Sequence, residues 1–314
     1  MSQKTKQEDQ PELAALKSVL DAGFAYADSK TKALLNEVNA AVSKAIETVE
    51  SQKQVLEIKI NDMPSVKLSE SAHPQLAELI TLSKIANATN AKHPYLVGPA
   101  GSGKTSMVPQ LAEALGLRYG MISFTAGASE TWLWGRQTPT GFQRGQFAEF
   151  YENGGVFLFD ELDAADANVL IALNSALANG HAYNPIEGKQ VTRHKEFFVV
   201  AAGNTFGLGA DFAYTGRQRL DRSTRDRFVP IIVDYLPNIE AKICPDDDLR
   251  ELFVAIRNEL REQRDENAAD ISYRSLVHAY SCFTQNIPID RILQLQFGGW
   301  PEGLLEQTLE AVNS

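Results

Sequence analysis

The sequence predicts an α/β domain built on a parallel β-sheet, and three observations indicate this fold class. Short apolar runs recur through the middle of the chain, and helical patterns separate most of them, as in strands joined by helical crossovers. Several runs are continuously apolar, which is typical of strands buried on both faces. A glycine-rich octet lies between one such run and a helical stretch. The strand candidates are 95–97, 121–124, 156–159, 197–201 and 228–233.

We expect three parts along the chain. Residues 1–54 form an N-terminal helical arm, because 11–57 are rich in Ala, Leu, Lys and Glu and contain no proline after Pro11. Residues 55–236 form the α/β core, which opens with an alternating strand candidate at 55–60. Residues 237–314 read as helical. Packing of the arm on its own domain and its use in oligomerisation or partner binding remain equal alternatives.

Composition limits the function classes. The chain of 314 residues has 40 acidic and 30 basic side chains and a net charge of −10, which disfavours broad binding to nucleic acid without excluding it. No apolar run is long enough to span a membrane, and the N-terminus is polar, so we expect no membrane association. Cys244 and Cys282 lack metal-ligand spacing, and we interpret them as reduced thiols of a cytoplasmic protein.

The octet GPAGSGKT is a complete phosphate-binding P-loop. Its glycines let the backbone curl so that successive N–H groups point at a β-phosphate, and the following helix directs its positive dipole end at the same anion. Lys104 can reach the β- and γ-phosphates, and Thr105 can offer its hydroxyl to Mg²⁺. The predicted nucleotide-binding residues are Gly98, Pro99, Ala100, Gly101, Ser102, Gly103, Lys104, Thr105 and Ser106.

Two adjacent carboxylates, Asp160 and Glu161, follow the apolar run 156–159. Parallel α/β sheets bind ligands at the carboxyl ends of their strands, so these side chains are expected in the site. We expect Asp160, together with Thr105, to hold Mg²⁺. Glu161 is expected to polarise the attacking water, because hydrolysis needs a water-positioning group in line with the γ-phosphate. The alternative is a pair of solvated carboxylates.

Two further segments complete the candidate chemistry. Asn204 follows the run 197–201, and its amide could orient the attacking water, although asparagine is also common in turns. Residues 217–228 read RQRLDRSTRDRF, with five arginines. In a ring of NTPase subunits, such a segment can place an arginine against a neighbour's γ-phosphate and stabilise its transition-state charge.

In this order and spacing, these segments resemble an AAA+ ATPase. The closer similarity is to the MoxR/CobS-like, dynein-related branch, which carries an insert in helix 2. The resemblance covers roughly residues 55–300 and is carried by YENGGVFLFDELDAADANVLIALNSALANG (151–180), AAGNTFGLGADFAYTGRQRLD (201–221) and DRF (226–228).

The resemblance implies an AAA+ P-loop NTPase core, a parallel sheet flanked by helices, with a C-terminal helical lid and the N-terminal arm outside it. It implies ATP and Mg²⁺ as ligands. Its functional residues carry over as Walker A Lys104 and Thr105, Walker B Asp160 and Glu161, sensor 1 Asn204, and an arginine finger at Arg227, with Arg222 and Arg225 as rivals. ISYRSL (271–276) is similar to the sensor 2 segment and implies Arg274 as a lid arginine, although Tyr273 replaces the usual proline.

The resemblance also implies two β-hairpin insertions, for which the turn-rich stretches 138–145 and 184–189 are the candidates. Trp132 and Trp134 precede the first of them, and we expect both to pack in the core or in an interface rather than to contact a substrate.

The function that the resemblance implies is an ATP-hydrolysing ring, a hexameric homo-oligomer, that remodels a partner protein. In the resembling families, the partner is often a protein with a von Willebrand factor A domain. Two alternatives remain open. The stretch NTFGLG (204–209) is CobS-like and suggests the ATPase subunit of a cobalt chelatase, and a nucleic-acid-directed motor would hydrolyse ATP in response to DNA or RNA. A non-hydrolysing switch is disfavoured by the intact Asp160–Glu161 pair.

Overall fold

The computed structural model describes residues 73–89, 92–125, 127–211, 213–265, 267–268 and 271–313. The predicted arm at 1–54 and the predicted strand at 55–60 lie outside these residues. All of the described residues belong to one compact unit, 58–314. None of the described helices is both long enough and apolar enough to cross a membrane.

Within the described residues, five parallel strands form the central sheet. The strands in chain order, hairpins included, are β1 (His93–Val97), β2 (Tyr119–Ser123), β3 (Gly135–Thr138), β4 (Gly141–Arg144), β5 (Gly155–Asp160), β6 (His181–Asn184), β7 (Lys189–Thr192), β8 (Phe197–Gly203) and β9 (Phe228–Ile232). The order across the sheet is β2-β5-β8-β1-β9. The predicted parallel α/β fold is confirmed, and each of the five candidates from 95–97 to 228–233 overlaps an observed strand.

Helices connect the strands and continue after them. In chain order they are α1 (Gln75–Thr89), α2 (Lys104–Leu115), α3 (Glu130–Trp134), α4 (Gln146–Asn153), α5 (Ala167–Asn179), α6 (Arg222–Arg225), α7 (Pro237–Ile243), α8 (Asp247–Glu262), α9 (Tyr273–Thr284), α10 (Ile289–Phe297) and α11 (Leu304–Asn313). A 3₁₀ turn at Leu162–Ala164 follows β5.

The sheet is buried on both faces, which explains the continuous apolar runs. Because side chains alternate across a strand, Val156 and Leu158 of β5 join one core, together with residues of α1 and α2. Phe157 and Phe159 join the opposite core, together with residues of α4 and α5. The central strands are therefore held in place from both sides, and their carboxyl ends are rigidly placed.

Two antiparallel hairpins, β3–β4 and β6–β7, are inserted beside the sheet, as expected for the two turn-rich stretches. Arg144 at the end of β4 places its Nε 3.7 Å from Oε1 of Glu187, in the turn of the second hairpin. The two hairpins therefore contact each other. Trp134 is buried and packs edge-on against Phe147, as expected. Trp132 is 44% exposed and so lies outside the core, and its packing in an interface stays a prediction.

No strand follows β9 in the described part of the chain, and helices α7 to α11 pack around a separate apolar cluster that includes Phe253, Ile256 and Phe297. A buried ion pair joins the first two of these helices, with Arg257 Nη2 2.6 Å from Glu240 Oε1. Burial of both charges requires this pairing, since either charge alone would be strongly destabilising.

His93 at the start of β1 makes stability sensitive to acid. Its ring is buried, and burial, followed by the charges of Arg193 and Arg227, lowers its pKa from 6.5 to about 3. The folded state therefore binds fewer protons than the unfolded state between these values, and the free energy of unfolding falls as pH falls through this window. We expect a loss of about 2 kcal/mol from this group between neutral pH and about pH 5.

Urea denaturation of the protein and of His93→Gln at several pH values measures this contribution. The variant lacks the imidazole, so the difference in unfolding free energy between the two proteins should change with pH. Identical pH dependence of both proteins would show that His93 does not have the lowered pKa.

Candidate functional site

Three strand ends bring the predicted site residues together. β5, β8 and β1 are neighbours in the sheet and run parallel, so their carboxyl ends lie at one edge. The loop 98–103 leaves β1, Asp160 ends β5, and Asn204 follows β8. Motifs that are distant in the chain thus meet at this edge, where parallel sheets bind ligands.

The P-loop owes its curled path to glycine. Gly101 and Gly103 have φ values of +69° and +93°, a left-handed region that disfavours other residues. At Gly98, a Cβ atom would lie only 1.8 Å from the carbonyl oxygen of Val233. The loop ends where α2 begins at Lys104, so the free N–H groups of the first helical turn face the loop.

The Lys104 amine is enclosed by oxygen atoms. Nζ donates to the carbonyl oxygens of Gly98 (2.8 Å) and Pro99 (2.7 Å) and to Oδ1 of Asn204 (3.0 Å). Burial lowers the pKa of Lys104 to about 8, although the carboxylates of Asp160 and Asp163 oppose this shift. Neutral acceptors hold the charged amine, and an anion entering the loop would be a stronger partner for it.

Thr105 and Asp160 form the second contact of the site. The Thr105 hydroxyl donates to Asp160 Oδ2 over 3.1 Å, and the backbone N–H of Glu161 donates to Oδ1 over the same distance. Burial raises the pKa of Asp160, and these two hydrogen bonds oppose the shift. Glu161 itself has a φ of +53°, an uncommon conformation for a residue with a side chain.

These residues fit a magnesium nucleotide. The curled loop has no room for a Cβ at Gly98 or Gly101, and the buried Ser102 hydroxyl has no hydrogen-bond partner within the described residues. The Thr105 hydroxyl and the Asp160 carboxylate are the hard oxygen ligands that Mg²⁺ prefers. No group of three or more His, Cys, Asp or Glu side chains suited to a metal occurs in the described ranges. The donor set therefore suits an Mg²⁺ ion shared with phosphate oxygens rather than one enclosed by protein.

Asp163, which sequence reasoning did not single out, anchors the Asn204 loop. Its fully buried side chain accepts three hydrogen bonds at Oδ2, from the N–H groups of Asn204 (3.0 Å) and Thr205 (2.9 Å) and from the Thr205 hydroxyl (2.9 Å). The Thr205 carbonyl accepts a further bond from the Tyr95 hydroxyl over 2.8 Å. The position of Asn204 is thus fixed by a buried carboxylate rather than by an ordinary turn.

Two tyrosines that sequence reasoning did not single out hold the P-loop at Ala100. The Ala100 N–H donates to the Tyr214 hydroxyl over 2.8 Å, and the Tyr235 hydroxyl donates to the Ala100 carbonyl over 2.7 Å. Arg257 of α8 lies over the Tyr235 ring, 4.4 Å from its centre. The C-terminal helices therefore contact the P-loop through Tyr235.

The predicted lid arginine, Arg274, lies beside the P-loop. A Cβ on Gly101 would come within 2.8 Å of the Ser272 Cβ and 3.8 Å of the Arg274 Cγ, so the start of α9 is packed against the loop. The Arg274 side chain is exposed, and its charge contributes to the lowered pKa of Lys104. Its location is compatible with a phosphate contact.

The three arginine-finger candidates lie together near α6. Arg222 is exposed, and Arg225 and Arg227 are half-buried. Arg222 and Arg225 line a surface cavity of about 750 Å³ between α5 and α6, with the exposed Ile171 on its wall, whereas Arg227 does not line it. Within the described residues, none of the three arginines forms a hydrogen bond or ion pair with Lys104 or Asp160. The arginine that does reach the site within the chain is Arg217, whose Nη1 lies 3.3 Å from Glu161 Oε2.

The missed residues share a reason. Asp163, Arg217, Tyr214 and Tyr235 act through contacts between segments far apart in the chain. Arg217 belongs to the arginine run 217–228, but nothing in that run indicates a contact with Glu161. Asp163 was the easiest of them to find, because it is a carboxylate two residues beyond Glu161 at the end of a predicted buried strand. A third carboxylate close to the end of an apolar run is a sequence signal that could have indicated it.

Comparison with known proteins agrees with this geometry. Residues 93–228 match the family model of the AAA domain, dynein-related subfamily. Midasin of Dictyostelium discoideum is 35% identical over 167 residues, which are 51% of this chain but only 3% of midasin. An uncharacterised protein of Staphylococcus aureus is 26% identical over 225 residues, covering 65% of this chain and 82% of that protein.

Solved structures of similar architecture have low sequence identity. A crystal structure of a candidate ATPase from Cytophaga hutchinsonii is 17% identical, with a TM-score of 0.44, and the match covers 83% of this chain and 89% of that one. A variant of RuvB from Thermotoga maritima is also 17% identical, with a TM-score of 0.44 and coverage of 74% and 71%. The matched residues 93–228 include the P-loop, Asp160 and Asn204, so this part of the chain is similar to the AAA domain of the dynein-related subfamily.

Proposed function

We propose that the protein is an ATPase that hydrolyses magnesium-bound ATP at the edge of its central sheet. One observation carries the proposal. Lys104 Nζ lies 3.0 Å from Asn204 Oδ1, and Thr105 Oγ1 lies 3.1 Å from Asp160 Oδ2, so two pairs of groups from three strand ends converge at the P-loop. Phosphoryl transfer depends on positioning and charge stabilisation, and both need such convergence.

The roles of the side chains follow from their chemistry. The N–H groups of the loop and of the first turn of α2 bind phosphate oxygens, and Lys104 adds a positive charge. Thr105 and Asp160 would hold Mg²⁺, and the bound ion would supply positive charge beside the phosphates. Glu161 orients the attacking water and accepts its proton. Asn204 donates to the same water or to the γ-phosphate, and Asp163 keeps it in place.

We propose further that the site is completed by a second copy of the chain in a ring of hexameric type. The surface of α6 that carries Arg222 and Arg225 contains a cavity of about 750 Å³. No P-loop residue lines this cavity. Two large apolar side chains near Arg219 are exposed, Ile171 by 67% and Leu208 by 61%. Exposed apolar side chains next to a charged rim are typical of protein interfaces.

The output we propose is remodelling of a partner protein, in the manner of MoxR-like ATPases. A partner with a von Willebrand factor A domain is the first candidate to test. The net charge of −10 supports a protein partner over a nucleic acid. No contact within the described residues favours the chelatase alternative.

Phosphate release from ATP by the full chain tests the proposed activity. We expect turnover in the presence of Mg²⁺ and none when the cation is removed by a chelator. Addition of DNA or RNA should leave the rate unchanged, and strong, salt-sensitive stimulation would instead support a nucleic-acid motor. Absence of turnover in an assembled, nucleotide-binding sample would contradict the proposal.

A mixing experiment tests the shared site. Arg227→Ala subunits, and in parallel Arg222→Ala and Arg225→Ala subunits, are titrated into wild-type protein, and the rate per wild-type subunit is measured. The variant that removes the finger should inhibit its wild-type neighbours, because its arginine serves their sites, with a loss of about 10³-fold or more in a fully mutant ring. Arg291→Ala, an exposed arginine on α10 that bonds Gln294, is the control. If no variant inhibits its neighbours, the shared site is wrong.

A further inference from the structure

The P-loop contains one peptide group that backbone sterics leave free to rotate. It joins Ala100 to Gly101, and Gly101 has a φ of +69° in the left-handed region. Because glycine has no Cβ, it adopts very different backbone angles at similar cost. Rotation of this trans peptide by half a turn would exchange the directions of the Ala100 carbonyl and the Gly101 N–H, which point to opposite sides. The direction of peptide 100–101 therefore depends on its hydrogen bonds.

The hydroxyl of Tyr235 holds this peptide from the carbonyl side. It donates to the Ala100 carbonyl oxygen over 2.7 Å. Burial raises the pKa of Tyr235 above its ordinary value, so the hydroxyl keeps the proton that it donates. At the opposite end of the peptide, the Gly101 N–H donates to no group within the described residues. The contact with Tyr235 thus directs an N–H donor without a protein acceptor away from the tyrosine.

The preceding peptide, 99–100, is held at both ends and without Tyr235. Its N–H, on Ala100, donates to the Tyr214 hydroxyl over 2.8 Å. Its carbonyl, on Pro99, accepts from Lys104 Nζ over 2.7 Å. Loss of the Tyr214 hydroxyl would therefore leave this peptide with a partner. Within the described part of the chain, peptide 100–101 has Tyr235 as its one hydrogen-bond partner, whereas peptide 99–100 has more than one.

The Tyr235 ring is held in place by the C-terminal helices. Arg257 of α8 lies over the ring, 4.4 Å from its centre, and Tyr273 of α9 packs edge-on against it at 5.2 Å. Arg257 is itself fixed by its buried ion pair with Glu240. The N–H of the next residue, Leu236, donates to the Tyr273 hydroxyl over 2.7 Å. The hydroxyl that contacts the P-loop therefore belongs to a packed and oriented side chain.

We propose, on the basis of the proposed ATPase function, that Tyr235 is a positioning residue that directs the Gly101 N–H toward the phosphates of a bound nucleotide. N–H groups that point into a P-loop stabilise phosphate oxygens. If peptide 100–101 rotated, the Ala100 carbonyl oxygen would point there instead and would repel the phosphates. Tyr235 disfavours that orientation. Its hydroxyl acts on phosphate binding, so it contributes to the bound substrate and to the transition state alike.

Removal of one hydroxyl at a time tests the proposal in full-chain Tyr235→Phe and Tyr214→Phe proteins. Phenylalanine keeps the ring, so the contacts of the Tyr235 ring with Arg257 and Tyr273 remain. In Tyr235→Phe, the dissociation constants of ADP and of a non-hydrolysable ATP analogue should rise by about tenfold, the effect of one lost phosphate contact. In Tyr214→Phe, they should rise by only about threefold or less, because peptide 99–100 keeps Lys104. KM for ATP should change more than kcat does.

The comparison of these two variants separates positioning from general support of the loop. If the tyrosines only anchor Ala100, both variants should lose the same affinity, because both hydroxyls contact this residue. Equal dissociation constants in the two folded variants overturn the proposal, and so does wild-type affinity in Tyr235→Phe. Tyr183→Phe removes an exposed hydroxyl from β6, and this matched control should bind nucleotide as the wild-type chain does.

Amide hydrogen exchange in the wild-type chain tests the same proposal without a variant, and it applies even if thermal unfolding shows that Tyr235→Phe does not fold. The Ala100 N–H, which donates to Tyr214, should be protected with and without ADP. The Gly101 N–H should exchange freely in the nucleotide-free chain and should exchange about tenfold more slowly, or slower still, when ADP is bound. An unchanged exchange rate at Gly101 on ADP binding overturns the proposal.

Failure of this proposal is distinguishable from failure of the proposed function. If the wild-type chain hydrolyses ATP and the two tyrosine variants bind nucleotide equally well, the function stands and the role of Tyr235 is wrong. If the wild-type chain binds ADP but hydrolyses no ATP, the function is wrong, and the ADP measurements still test Tyr235.

Discussion

Replacement of Lys104 by alanine is expected to reduce the affinity for ATP by about 100-fold or more, because it removes a charge-assisted contact with the phosphates. The structure gives the reason. The amine is already inside the loop, where carbonyl oxygens and Asn204 hold it, so it needs no rearrangement to meet a phosphate. Turnover should be lost together with binding. Equilibrium binding of a fluorescent ATP analogue measures the effect.

The same lysine should make ATP binding depend on pH. Its pKa of about 8 in the nucleotide-free protein means that the amine is charged below that pH and neutral above it. An anion favours the charged form, so the affinity should be full below about pH 8 and should fall as pH rises above it. Lys92→Ala, which removes an exposed lysine paired with Asp226, is the control and should bind ATP normally. Wild-type affinity in a folded Lys104→Ala protein would contradict the assignment.

The parts of the site that the sequence predicts are those with a local signature. Lys104 and Thr105 belong to one octet, and Asp160 and Glu161 end one apolar run. Their convergence follows from the parallel sheet, because neighbouring strands place their carboxyl ends at one edge. The fold class could be predicted for the same reason, since burial on both faces leaves continuous apolar runs in the sequence.

The parts that could not be predicted depend on contacts between distant segments. Asp163 and Arg217 are 54 positions apart in the sequence, and nothing in either local stretch indicates that they meet. The hydrogen bonds that hold Ala100 are another example, because their partners Tyr214 and Tyr235 lie 114 and 135 residues away from it. The arginine run illustrates the limit most clearly. Its residues at 222, 225 and 227 were candidates for a neighbour's site, whereas the one at 217 contacts the chain's own Glu161.

Replacement of Glu161 by glutamine is expected to lower kcat by about 10²-fold to 10⁴-fold while leaving ATP bound, because an amide of the same shape cannot accept a proton from the attacking water. The phosphate ligands and the pair formed by Thr105 and Asp160 are untouched by this change. The backbone at Glu161 keeps its hydrogen bond to Asp160 Oδ1. Binding and hydrolysis should therefore separate in this variant.

Glu113→Gln provides the matched control, since it makes the same chemical change at an exposed position on α2. This control should bind and hydrolyse ATP as the wild-type protein does. Thermal unfolding of both variants should stay close to that of the wild type, which would exclude loss of the fold as the cause of a lower rate.

The most direct test of the site is the identity of the nucleotide that Glu161→Gln retains. The variant is mixed with ATP and Mg²⁺, the protein is separated from free nucleotide, and the bound nucleotide is identified. Assignment of Glu161 as the water-positioning residue predicts ATP on the variant and ADP on the wild-type protein and on Glu113→Gln. Recovery of ADP from Glu161→Gln, at a turnover rate equal to that of the wild type, would contradict it.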